Sequence, residues 1–78
     1  GNGYAIVYHA NGGTGVMVNQ VCKRGQVYNL TRCAFAPPSG KTRFAGWLGS
    51  NGKRYDDGVL VFNAMGEGET VTMTAIWQ

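Results

Sequence analysis

Charge is scarce in this chain of 78 residues. Charged side chains make up 14 % against 44 % hydrophobic, which is too apolar for a disordered segment and too lightly charged for a solvated tail. Histidine occurs once, at His9, and cysteine twice, at Cys22 and Cys33, with no Cys-x-x-Cys pair. A zinc set built from these and an aspartate is weakly supported, and no Ser–His–Asp or Cys–His arrangement can be drawn from spacing. No apolar run nears the ~18 residues needed to cross a membrane as a helix. Residues 1–20 also lack the charged start and apolar middle of a secretory leader. Catalysis, cofactor binding and membrane insertion are therefore not expected.

Glycine is plentiful instead, at 13 of 78 residues, and is scattered among short apolar runs. That distribution predicts many tight turns between short strands in a single small domain of marginal stability. Tyr4, Ile6 and Tyr8 alternate with Ala5, Val7 and His9, a period of two. Asn11-Gly12-Gly13-Thr14-Gly15 predicts a turn built on positive-φ positions. Extended character resumes over Val16–Cys22, and Val27, Tyr28 and Leu30 form an apolar patch. Thr31–Phe35 has room for a short helical turn, and Pro37-Pro38-Ser39-Gly40 must end any helix or central strand. Arg43–Leu48 predicts a strand around Phe44 and Trp47, followed by a hairpin-like turn at 49–52. Asp56-Asp57-Gly58 predicts a turn bonding its own backbone, and Val59–Phe62 a buried strand. The last strand points Met73, Ala75 and Trp77 one way and Thr72, Thr74 and Ile76 the other. Gly1-Asn2-Gly3 reads as linker or cloning remnant, leaving 4–78 as the domain.

Few residues carry chemistry. Gly40-Lys41-Thr42 imitates the tail of a phosphate-binding loop, but Phe35 stands where that loop needs its first glycine and no long helix follows. Asp56 and Asp57, as neighbours on an extended chain, would face opposite ways. Tyr4, Tyr8, Phe44, Trp47 and Trp77 fall on inward phases, as core residues do, so a base-stacking platform for nucleic acid is not expected. The formal charge of +3 includes two basic dyads, Lys23-Arg24 and Lys53-Arg54, which could contact a polyanion. Cys22 and Cys33 are expected to be reduced, buried thiols that pack as small hydrophobes, with a disulfide between them as the alternative.

Taken in order, the residues form a pattern. Tyr4-x-Ile6-x-Tyr8-x-Ala10-Asn11-Gly12-Gly13-x-Gly15-x-Met17-x-x-Gln20 is followed by Gly25 and Leu30. Then come Cys33-x-Phe35-x-x-Pro38-x-Gly40-Lys41, Phe44-x-Gly46-Trp47, Gly52, Tyr55 and Gly58, and the chain closes on Met73-Thr74-Ala75-Ile76-Trp77. This resembles the Listeria–Bacteroides repeat, also known as the internalin B-type repeat, over residues 4–77. Its members read Asn-Gly-Gly, then Phe-x-Gly-Trp, then a terminal Ala-x-Trp. Pro37-Pro38-Ser39-Gly40-Lys41-Thr42-Arg43 stands where many members carry Arg-x-Gly-Tyr.

The resemblance implies an α+β, mostly β fold: a small β-grasp-like mixed sheet with short strands and at most one short helical turn or irregular segment crossing it. Asn11, Gly12, Gly13, Phe44, Gly46, Trp47, Ala75 and Trp77 would be its structural motif. It also implies a non-catalytic repeat of a secreted or wall-anchored bacterial surface protein, spacing or presenting other domains, with neighbouring repeats or domains as partners. The alternative is an adhesive module that binds a host protein or sulfated glycan through Lys23, Arg24, Lys53 and Arg54.

Overall fold

The computed structural model describes residues 3–78; Gly1 and Asn2, read from sequence as linker, lie outside the described residues. Seven strands follow in chain order: β1 (Gly3–His9), β2 (Gln20–Lys23), β3 (Val27–Asn29), β4 (Phe44–Gly49), β5 (Arg54–Tyr55), β6 (Leu60–Phe62) and β7 (Thr70–Trp77). Gly3 thus belongs to the first strand, not to a linker: it pairs with Lys23, and a Cβ there would stand 2.5 Å from the Cys22 carbonyl oxygen.

Five strands form one mixed sheet in the order β2-β1-β7-β4-β5. The two central strands, β1 and β7, are parallel, with Ile6 opposite Val71 and Tyr8 opposite Met73. Each has an antiparallel partner on its far side, β2 against β1 and β4 against β7, and β5 closes the β4 edge. This is the β-grasp-like order. The period-two strands dictate which face is covered. Tyr4, Ile6, Tyr8, Trp47, Val71, Met73, Ala75 and Trp77 are all buried on one side, while alternate residues of β1 and β7 are half-exposed on the other.

The covered face is closed by the segment between β2 and β4, with the separate two-stranded β3–β6 ribbon. No helix occurs among the described residues, so the helical turn allowed at Thr31–Phe35 does not form. The backbone donors there find partners across the fold instead of along a helix. Thr31 N–H donates to the Tyr8 hydroxyl at 2.8 Å, Cys33 N–H to Asp57 Oδ1 at 2.8 Å, and Ala36 N–H to the Thr14 carbonyl at 2.8 Å. Backbone donors need partners, and these satisfy them without a regular element. The segment contributes Leu30, fully buried, and the half-buried Cys33 and Phe35 to the core.

Val16–Cys22 is regular only from Gln20, and Val16 and Val18 are exposed. Val59–Phe62, expected as a buried strand, is a surface strand: only Val61 is buried, because β6 pairs with β3 in a ribbon that has the core on one side only. In β4 the register against β7 shifts between Phe44 and Gly46, so Ala45 is an extra residue, a β-bulge. Gly46 sits at φ 127° with Tyr55 O 3.0 Å from where its Cβ would be. The strand that approaches this glycine closely is therefore β5.

Candidate functional site

The eight motif residues come together, and what they build is a structural junction. Trp77 donates its indole N–H to the Ala10 carbonyl at 2.8 Å, and the Asn11 side-chain amide donates to the Ala75 carbonyl at 2.8 Å. The first turn and the last strand, more than sixty residues apart in sequence, are thus joined twice. Asn11 and Gly12 take φ of 50° and 89°, the left-handed region that asparagine and glycine tolerate. Gly13 does not, contrary to the expectation that all three would. It is needed because a Cβ would meet Ala36 O at 2.5 Å and the Trp77 ring at 2.8 Å.

Trp47, fully buried, is the hub of an aromatic cluster. Its ring centroid lies 4.7 Å from Phe44, 5.0 Å from Tyr8 and 6.1 Å from Phe35, and Phe44 in turn lies 5.8 Å from Trp77. Tilted and edge-on contacts of this kind add ~0.5–1.5 kcal/mol each beyond burial. The Trp47 indole N–H is buried and has no hydrogen-bond partner among the described residues. The rings that sequence placed inside are inside, with Phe44 only half-buried.

A polar network escaped the sequence reading. The Tyr8 hydroxyl donates to Gln20 Oε1 and accepts from Thr31 N–H, while Gln20 Nε2 donates to the Asn29 carbonyl at 3.0 Å. This ties β1 and β2 to the crossing segment. Gln20 ends the first motif stretch, which was the one available signal. Burial pushes the Tyr8 hydroxyl above its usual range, partly offset by its bonds at Thr31. Burial also pushes the Tyr4 hydroxyl above its usual range, partly offset by the nearby Ala64 backbone, and among the described residues it makes no well-formed hydrogen bond.

The ionisable candidates are dispersed. Among the described residues no three His, Cys, Asp or Glu side chains come together as metal ligands. His9 Nδ1 accepts from Asn11 N–H at 3.0 Å at the end of β1. Cys22 and Cys33 are free thiols, and burial raises both above the ordinary thiol range. Cys22 is buried as expected, but Cys33 is only half-buried, because the irregular segment carrying it runs near the surface. Asp57 does not bond its own turn; it anchors the Cys33 backbone, 24 residues away in sequence. Gly40-Lys41-Thr42 leads to no helix, and Thr42 N–H is taken by the Gln78 carbonyl.

The basic dyads are kept apart. Lys23 ends β2 and Arg24 follows it, whereas Arg54 starts β5 and Lys53 precedes it. β2 and β5 are the two outer strands of the sheet, four strand spacings or about 19 Å from one another. Arg24 is also engaged, donating to the Met65 carbonyl. The best-formed hollows are open depressions of 230 to 320 Å³. No protein-family model, no curated protein and no solved structure matches this chain.

Proposed function

We propose that this domain is a non-catalytic structural or interaction repeat of an extracellular bacterial surface or secreted protein, one that spaces or presents other domains. The reading rests on the motif resemblance, and one geometric observation carries it further. β1 and β7 are parallel neighbours, so the polypeptide starts its first strand at one end of the sheet and finishes its last at the other. A domain threaded in this way passes the chain along in one direction. The body is elongated, at 41 × 18 × 18 Å, as suits a spacer. An adhesive site for a sulfated glycan would gather its cations, and here Lys23-Arg24 and Lys53-Arg54 sit on opposite sheet edges.

The test is small-angle scattering of one, two and three copies joined head to tail. A spacer adds a constant increment of length per copy, no greater than the 41 Å long axis. Three copies no longer than two would overturn the reading. Retention on a heparin column at physiological salt, lost on charge reversal at Lys53 and Arg54, would favour the adhesive alternative.

A further inference from the structure

The apolar run that ought to be buried is on the surface. Leu60 and Phe62 are 60 % and 58 % exposed, and Val27, opposite Phe62, is 57 % exposed. The backbone of the same strand is open as well. One rung beyond the Asn29–Leu60 pair, Leu30 N–H donates to the Val59 carbonyl at 2.8 Å. Antiparallel rungs alternate, so Tyr28 and Val61 exchange hydrogen bonds, while Leu60 and Phe62 turn their N–H and C=O groups away from β3. No described residue bonds to those outward groups.

Open edges invite pairing, and proteins guard them with charge, proline or brevity. Both edges of the five-stranded sheet are guarded, and on the outer edge of β3 the Asn29 carbonyl is taken by Gln20 Nε2. β2 carries Lys23, whose N–H is taken by the Tyr28 hydroxyl at 2.7 Å, and β5 is two residues long and carries Arg54. β6 reads Leu-Val-Phe, with no charge and no proline. Beside it lies a hollow lined by Lys53, Tyr55, Leu60, Phe62 and Asn63, with no acidic residue in its wall.

We propose that the outer edge of β6 is a docking site that takes an extended peptide of a partner protein by strand addition, and that the peptide it fits alternates apolar with acidic residues. Main-chain bonds to Leu60 and Phe62 would supply affinity independent of sequence. Apolar side chains of the added strand would extend the exposed Val27–Leu60–Phe62 face, and carboxylates would answer Lys53 in the wall of the hollow.

The experiment is amide NMR on the domain titrated with a ten-residue peptide of alternating valine and glutamate, up to about 1 mM. In the free domain the Leu60 and Phe62 amides should exchange quickly with solvent; with peptide they should slow, and shifts should centre on residues 53–55 and 59–63. A valine–lysine peptide, or the K53E variant, should bind about tenfold more weakly. L60K, a change at an exposed position, should abolish binding while leaving the spectrum of the folded domain intact. Amides of Leu60 and Phe62 already protected without peptide, shifts centred elsewhere, no binding, or equal binding of the two peptides would each overturn the proposal. Concentration-dependent self-association abolished by L60K would do so too, assigning the edge to a second copy instead.

Discussion

Gly13 and Trp77 are in contact: a Cβ on Gly13 would stand 2.8 Å from the Trp77 ring and 2.5 Å from the Ala36 carbonyl oxygen. The first turn and the last strand are therefore fitted together by the absence of one carbon. Gly13→Ala should cost ~1–3 kcal/mol through overpacking against backbone and a buried ring. Gly25 makes a useful control. It sits at φ 84° with nothing within 4 Å of its Cβ position, so Gly25→Ala carries only the left-handed penalty of ~1–2 kcal/mol. Urea midpoints will rank them, and the Gly13 variant alone should perturb tryptophan fluorescence.

Trp47 and Trp77 are the largest investment of the core. Truncation to alanine typically costs ~3–5 kcal/mol, which for a domain of this size is most of its stability. Trp47→Ala, with the ring fully buried among Tyr8, Phe35 and Phe44, should leave the chain largely unfolded. Losses under about 1 kcal/mol for both variants in urea unfolding would show the cluster to be peripheral.

Two tyrosines on one strand should behave differently. Tyr8→Phe removes a hydroxyl that bridges half-buried Gln20 and the Thr31 backbone and should cost ~0.5–1.5 kcal/mol, the net worth of a hydrogen bond, since Thr31 N–H keeps Gln20 Oε1 at 3.3 Å. Tyr4→Phe removes a buried hydroxyl that makes no well-formed hydrogen bond among the described residues and only weak contacts with Ala64 and Cys22, and should change stability by less than ~0.5 kcal/mol. Thermal melts of the two variants decide the matter, and equal losses would contradict the assigned bonding.

Stability should fall at alkaline pH. Burial raises Tyr4, Tyr8, Cys22 and Cys33 above ordinary values of 10.0 for tyrosine and 9.0 for cysteine. The folded state keeps these protons longer than the unfolded chain, so the unfolded state binds fewer protons in that range and unfolding becomes easier as pH rises. The contribution is complete below pH ~8.5 and is lost progressively above it, as the unfolded chain's thiols and then its phenols ionise. Unfolding midpoints from pH 7 to 11 check this, and Cys22→Ala should make the limb near pH 9 shallower.

Thiol reactivity gives a further check on packing. In the folded domain, a bulky alkylating reagent should modify half-buried Cys33 well before buried Cys22, and denaturant should make both react. Mass spectrometry of unreduced, denatured protein should find two alkyl groups per chain; none without reductant would show that the two sulfurs are bonded.

Sequence by itself determined the strands whose sides differ. Tyr4-Ile6-Tyr8 and Val71-Met73-Ala75-Trp77 alternate, and a strand with one covered face permits only one register. The Asn11-Gly12 turn was equally legible, because few residues accept its dihedrals. Tertiary structure decided the rest. An unbroken run such as Val59–Phe62 contains no alternation to say which side faces water, and only its pairing with β3 exposed Leu60 and Phe62. The crossing segment has no period at all, since its backbone donors are satisfied by Tyr8, Asp57 and Thr14 rather than by its own carbonyls. The dyads looked alike along the chain, and strand order alone set them on opposite edges of the sheet, because pairing partners are chosen by long-range packing that local spacing does not encode.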